Sequence, residues 1–322
     1  MYLVTGCAGF IGFHTSLALL KNNHQVVGID NLNAYYDPDL KKARLAQLTN
    51  FPNFKFYKID VADKLGMQDF LKSNSEIQFI VHLAAQAGVR YSLENPHAYV
   101  DSNVTGQLNM LEMCKNLPVL KHFVYASSSS VYGSNTKMPF CVEDRTDNPI
   151  SLYAATKKTC ELMAHNYAHL FKIPSTGLRF FTVYGPWGRP DMAAFIFAKA
   201  ILNNQPLPIF NGGQMRRNFT YIDDIVNGIL GSLHSIPNSD LPYRVCNIGN
   251  NKSEDLMHFI GVLEKHLGKK GSYDLQPMQP GDVKETIADI AATTRDFGFE
   301  PKTDIEEGLK HFTDWYRGYY GC

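Results

Sequence analysis

The chain opens with an apolar run, Met1–Thr5, that breaks at once into Gly6-Cys7-Ala8-Gly9-Phe10-Ile11-Gly12 and continues as a helical pattern over Ile11–Asn22. Three glycines set between a strand and a helix restrict what can be built there. One permits a tight turn, one lets backbone approach a bound group closely, and one lets the helix pack against the sheet. The helix start also directs free N–H groups and a partial positive charge into the turn, which suits a pyrophosphate. Such a triplet alone also describes a turn that merely packs a helix. Here Asp30 closes the next apolar run, Gln25–Asp30, at the distance a dinucleotide site requires. Its carboxylate can accept from both hydroxyls of an adenine ribose and repels a 2′-phosphate, which favours NAD over NADP.

Strand-like and helical segments then alternate. Phe54–Asp60, Ile77–Leu83, Lys121–Ser127 and Ser175–Phe181 read as strands; Lys64–Ser73, Val100–Asn116 and Leu152–Phe171 read as helices. This alternation predicts an α/β fold, a Rossmann-type doubly wound parallel sheet, because each crossover must traverse the sheet. After Tyr184 the pattern changes to a Gly185–Pro190 loop, a helix over Ala193–Asn203 and a short run, Pro206–Phe210, before Gly212-Gly213. Phe219 to Ile248 reads as a return to the main sheet. Ser253 to Cys322 is helix-rich, broken at Gln276-Pro277 and Pro280-Gly281. The expected division is therefore interleaved: residues 1–182 and 219–249 form the dinucleotide-binding domain, and 183–218 and 250–322 a smaller α/β substrate domain.

Composition narrows the function classes. With 31 basic and 31 acidic residues the formal charge is zero, which argues against nucleic acid or an anionic membrane surface as partner. The longest apolar runs are strand-sized, and the immediate strand-and-glycine start leaves no room for a cleavable signal. Six scattered cysteines without a C-x-x-C pair suit a reduced, cytoplasmic protein. His165 and His169 share a helix face but lack a third ligand, so no metal is expected.

The chemistry is carried by Tyr153 and Lys157, four apart and so on one face of a helix. A tyrosine is a poor base at neutral pH, but a lysine cation nearby stabilises its phenolate. Such a pair can take a proton from a sugar hydroxyl as the carbon beneath gives up hydride. By spacing alone it could also be a surface pair. The run Ser127–Ser130 ends a strand, where a sheet of this type presents ligands; Ser128 is the expected partner of the reacting oxygen. Asp60 and Val61, after the third strand, could face adenine, with a plain helix cap as the other reading of Asp60.

Together these residues resemble the extended short-chain dehydrogenase/reductase family, and within it the nucleotide-sugar epimerases. The likeness covers nearly the whole chain: TGCAGFIG at 5–12, HLAAQAGVRYSLENP at 82–96, YASSSSVYG at 125–133, YAATK at 153–157, LRFFTVYGPWGRPDMA at 178–193, RRNFTYIDD at 216–224 and QPGD at 279–282. DNLNAYYDPDLKKARL at 30–45, with AQAGVRYS and GPWGRPDMA, is most similar to UDP-glucuronate 4-epimerases. The resemblance implies a seven-stranded Rossmann domain, a smaller domain that holds UDP, bound NAD regenerated each cycle, and pairing of two copies through the helices of 100–116 and 152–171. It implies cofactor contacts from Gly6, Gly9, Phe10, Ile11, Gly12, Asp30, Asn31, Asp60, Val61, Leu83, Ala84, Ala85, Tyr153, Lys157 and Phe180. A cofactor contact is also implied for Asn103, facing the catalytic residues from its helix, with an ordinary polar helix residue as the other reading. Substrate contacts are implied for Gln86, Ser128, Arg217 and Asp282, and for Arg90, which also fits a plain surface role.

A uronic acid brings a particular hazard. Oxidation at carbon 4 gives a β-keto acid, which loses carbon dioxide if its carboxylate turns perpendicular to the carbonyl plane. By the resemblance Ser129, Ser130, Thr182 and Arg189 hold that carboxylate, although Arg189 also fits a solvated loop. Related dehydratases and decarboxylases carry acidic residues where this chain has Ser129-Ser130. Asn218 stands where the family usually has aspartate, and Thr182 where UDP-galactose epimerases have asparagine. A 4-epimerase of a neutral UDP-sugar and a non-catalytic NAD-binding regulator are the competing readings.

Overall fold

A computed structural model describes residues 1–278 and 282–322, so Gln279, Pro280 and Gly281 of the QPGD motif lie outside the described residues. Seven parallel strands form the central sheet: β1 (Tyr2–Thr5), β2 (Val26–Asp30), β3 (Phe54–Lys58), β4 (Phe79–His82), β5 (His122–Ser128), β6 (Ser175–Phe180) and β7 (Tyr243–Ile248). Their spatial order is β7-β6-β5-β4-β1-β2-β3. The direction of winding reverses between β1 and β4, which pair in register from Tyr2 with Phe79 to Thr5 with His82. Helices leave the two strands on opposite faces, so a crevice opens beyond their carboxyl ends.

Strand alternation explains both faces. Leu3, Val27, Ile29, Ile80, Phe123 and Tyr125 point to one side and meet Met67, Phe70, Met110, Leu111, Cys160 and Ala164 from the helices Lys64–Lys72, Gly106–Lys115 and Leu152–Phe171. Tyr2, Val4, Val26, Val81, Val124 and Leu178 point to the other and meet Phe13, Leu20, Ile225, Ile229 and Leu233. This second cluster runs without a break into the helices Ala193–Leu202, Leu256–Leu267 and Ile305–Tyr320. Each fully buried large apolar side chain contributes about 1.5–3 kcal/mol, so the two halves share a core and do not hang from a tether.

Three segments depart from the sequence reading. Phe219 to Ile248 does not all return to the sheet: Phe219–Tyr221 pairs with Thr182–Tyr184, Ile222–His234 is a helix, and only Tyr243–Ile248 joins as β7. Its β-branched residues recur at helical spacing, and Ile222, Ile225, Val226, Ile229 and Leu233 are all buried. The expected single helix over Val100–Asn116 begins with a π-helical stretch, Val100–Thr105, and becomes α-helical only at Gly106. A further helix, Pro38–Thr49, is capped by Asp37, whose side chain accepts from Asp39 N, with proline at its first position.

Beside the central sheet stand two-stranded pairs, Leu207–Phe210 with Tyr273–Gln276 and Arg216–Arg217 with Glu254–Asp255, and the helices Ala193–Leu202, Leu256–Leu267 and Ile305–Tyr320. The helix Ala291–Phe297 packs back on Ile222–His234 and β7, and Thr293 Oγ1 donates to Asn247 O at 2.7 Å. Residues beyond 250 therefore also support the central sheet.

Candidate active site

At the carboxyl end of β1 the glycines are needed sterically. Gly6 has φ +69°, and a Cβ there would lie 2.8 Å from Ala84 N; one on Gly12 would lie 2.0 Å from Gly6 O. The turn thus brings backbone against the loop after β4 and leaves the Phe10–Lys21 helix start open to a ligand. Asp30 is fixed by two backbone donors, Ala8 N at 3.1 Å and Leu32 N at 2.8 Å. Asp60 accepts from Asn31 Nδ2 at 2.8 Å and from Ala62 N at 2.9 Å. The cap of the following helix is Asp63, which accepts from Leu65 N and Gly66 N; Asp60 is left facing the crevice. Lys41, given no role in the 30–45 stretch, is also buried here; Nζ donates to Asn33 Oδ1 at 2.7 Å and burial lowers its pKa.

The Leu152–Phe171 helix starts at Ser151, whose hydroxyl accepts from Ala154 N at 3.1 Å. That cap places Tyr153 in the first turn and Lys157 one turn later. Lys157 is only 4% exposed and donates to Ala126 O at 2.9 Å, so its cation is anchored on the end of β5. Ser128 ends the same strand, and its Oγ accepts from Ser130 N at 3.2 Å. Ser127 faces the other way and donates to Glu161 Oε1 at 2.6 Å; Glu161 in turn holds Arg179 through two bonds of 2.8 and 2.9 Å. Ser128, not Ser127, is the hydroxyl left for a ligand. The buried Tyr99 packs edge-on to Tyr153 at 6.0 Å.

One cavity of about 830 Å³ is lined by Tyr153, Lys157 and Ser128 and by all the expected cofactor and substrate residues but one. The exception is Asn103. It lies in the π-helical stretch, buried, with Oδ1 accepting from Gln86 N at 2.8 Å and Nδ2 donating to Gln86 O and Thr156 Oγ1. These bonds tie the Gln86 loop to the Leu152–Phe171 helix.

The far end of the cavity is basic but not bare. Arg90 pairs with Asp282 at 3.0 Å and lies 4.4 Å over the Phe210 ring. Arg217 Nη1 donates to Arg216 O and Lys284 O, and its pKa is lowered by burial. Neither arginine was traceable to its partner from sequence. Asn218 fits its place better than an acid would: Oδ1 accepts from Asn250 N, while Nδ2 donates to Asn250 O and Lys252 O, which a carboxylate could not do. Arg189 is held side-on by Asp191, with Nε to Oδ1 at 3.0 Å, and Tyr35 Oη donates to Asp191 Oδ2 at 3.1 Å. The loop carrying Arg189 is seated by the dinucleotide half. Arg44, wholly buried, donates to Ala8 O, Trp187 O and Gly188 O, and His14 Nε2 donates to Pro186 O.

Residues 2–249 match the NAD dependent epimerase/dehydratase family. The chain belongs to that family. It is 54% identical to an uncharacterized 37.6 kDa protein of Escherichia coli O111:H-, over 99% of both chains. It is 48% identical to UDP-glucuronate 4-epimerase 1 of Arabidopsis thaliana, over 99% of this chain and 77% of that protein. The crystal structure of UDP-glucuronic acid 4-epimerase from Bacillus cereus with UDP-glucuronic acid and NAD superposes with a TM-score of 0.92, at 36% identity and over 99% of each chain. A family epimerase of this kind uses NAD, and the residues here fit it: a cradle that a Cβ would fill at Gly6 and Gly12, a fixed acid at Asp30, and an open helix start.

Proposed function

We propose that the chain is an NAD-dependent UDP-sugar 4-epimerase that interconverts UDP-glucuronate and UDP-galacturonate without net redox change. The observation that carries this is one cavity bounded by the glycine turn, by Tyr153, Lys157 and Ser128, and by Ser129, Ser130, Thr182 and Arg189. Bound NAD supplies a hydride acceptor that returns the same hydride later in the cycle. The remaining work falls to side chains. Tyr153 takes the proton of the hydroxyl on carbon 4, Lys157 favours its phenolate, and Ser128 Oγ orients that hydroxyl. Ser129, Ser130 and Thr182 offer hydroxyls, and Arg189 an N–H group, to keep the carboxylate of the 4-keto acid near the carbonyl plane. Arg217 and Arg90 are assigned to the diphosphate.

A neutral UDP-sugar as substrate is the second reading, and one observation favours it: the charge of Arg189 is already matched by Asp191. Purified protein given UDP-glucuronate or UDP-glucose, with products resolved by proton NMR, decides between them. UDP-galacturonate formed without added NAD or net NADH is expected. Conversion of UDP-glucose alone would overturn the uronate assignment and keep the Tyr153 chemistry.

We infer a homodimer formed through the Gly106–Lys115 and Leu152–Phe171 helices, on which Leu108, Leu162 and Leu170 stand exposed. Among the described residues no helix is long and apolar enough to cross a membrane. All six cysteines are free thiols, which supports a reducing, cytoplasmic setting.

A further inference from the structure

An enzyme that must hold a substrate carboxylate would bind it most strongly with an arginine left unpaired. This chain instead places Asp191 against Arg189, so that the pair carries no net charge. The contact is side-on and uses Nε and Nη2; among the described residues Nη1 has no hydrogen-bond partner. A guanidinium gripped at two points cannot turn in its own plane, so the direction of its remaining N–H groups is fixed. Asp191 is itself fixed by Tyr35, whose hydroxyl packs so closely on Gly88 (φ +98°) that a Cβ there would lie 2.6 Å from it. Tyr35 comes from the loop after β2 and Asp191 from the loop after residue 184, so the chain of contacts spans both halves. Tyr35, Arg189 and Asp191 all line the cavity.

Resting on the uronate 4-epimerase reading, we propose that Asp191, seated by Tyr35, is a positioning residue that sets specificity. It cancels the net charge of Arg189 and aims Nη1, so that the carboxylate is received by direction and not by excess positive charge. The chemistry rewards this arrangement. Loss of carbon dioxide from the keto acid depends on the angle of the carboxylate, and charge alone attracts without fixing an angle. The accompanying cost is weak discrimination against UDP-sugars that lack the carboxylate.

The test compares NAD-loaded wild type, Asp191→Asn and Tyr35→Phe. Calorimetry gives the ratio of affinities for UDP-glucuronate and UDP-glucose, and NMR gives the share of turnover released as UDP-pentose. Freeing the arginine's charge in Asp191→Asn is expected to raise the affinity ratio about fivefold, with more UDP-pentose and a steeper dependence on salt. Tyr35→Phe is expected to move the same readouts by less, and it carries the test should Asp191→Asn not retain NAD. An affinity ratio that is unchanged or lower in NAD-loaded variants overturns the proposal. The affinity ratio needs no turnover, so failure of the wild type to make UDP-galacturonate would count against the function reading and leave this one judged on binding.

Discussion

Tyr153 and Lys157 divide one task between them. In the proposed reaction the phenol meets the substrate, while the ammonium is held by Ala126 O. Tyr153→Phe keeps the ring and loses only the proton-transferring oxygen. Its expected result is unchanged NAD binding with turnover lower by on the order of 10³, checked by NAD content and product formation. Arg189→Ala should weaken UDP-glucuronate binding and release part of the intermediate as UDP-pentose, read by NMR; normal binding with no pentose would remove Arg189 from carboxylate control. The glycines, Asp30, Tyr153 and Lys157 were legible in the sequence because local spacing marks them: glycines set between a strand and a helix, an acid that closes the next strand, and a tyrosine and lysine four apart. The pairing of Tyr35 with Asp191 was not, because only the fold brings together two residues 156 positions apart. For Asn103 two readings were open; it lies in a π-helical stretch and bonds Gln86 and Thr156.

The Leu152–Phe171 helix is fastened to the sheet by Glu161, which takes both Arg179 on β6 and Ser127 on β5. Arg179 continues to Tyr132 Oη at 3.1 Å, and Tyr132 donates to Asn247 on β7 at 2.6 Å. Three strand ends and the catalytic helix are thus held by one buried ion pair. Glu161→Ala leaves the arginine buried without its counter-charge and should lower stability by about 3–5 kcal/mol, measured by urea unfolding. The replacement of both partners by apolar residues of matching volume should cost far less. Element types were readable wherever periodicity and a turn signal agreed, as in the first six strands. Ile222–His234 was not separated from the return to the sheet read over Phe219 to Ile248, although its buried positions follow a period near 3.6.

At the scale of the whole molecule, Arg44 joins the cofactor turn to the loop that bears Arg189. It makes no salt bridge among the described residues, and its Nε has no partner; its charge is satisfied by carbonyl oxygens and by Tyr36 Oη at 2.7 Å. Arg44→Met should raise the Kd for NAD about tenfold or more, by fluorescence titration, and lower Tm; unchanged affinity would show that the turn keeps its shape unaided. Acid should also loosen the fold. Burial holds His82 down to about 3, with the Lys157 cation adding to the effect, and His122 down to about 4. The unfolded chain therefore binds more protons than the folded one below about pH 6.5. Stability from these two groups is full above that pH and falls as the pH drops toward their folded values, by up to about 1.4 kcal/mol per pH unit for each. Unfolding midpoints at pH 7 and pH 5 check this, and His122→Gln should flatten the difference.

The two tryptophans of the chain, Trp187 and Trp315, lie 5.2 Å apart, with Phe13 and Tyr319 against Trp187. Trp187 sits two residues before Arg189, and its carbonyl is one of those gripped by Arg44. The protein therefore carries an intrinsic optical reporter at the seam between its halves. Its tryptophan emission reports on the seating of a single loop and is blind to most of the rest of the molecule, which makes the coupling between cofactor and substrate halves visible in unlabelled enzyme.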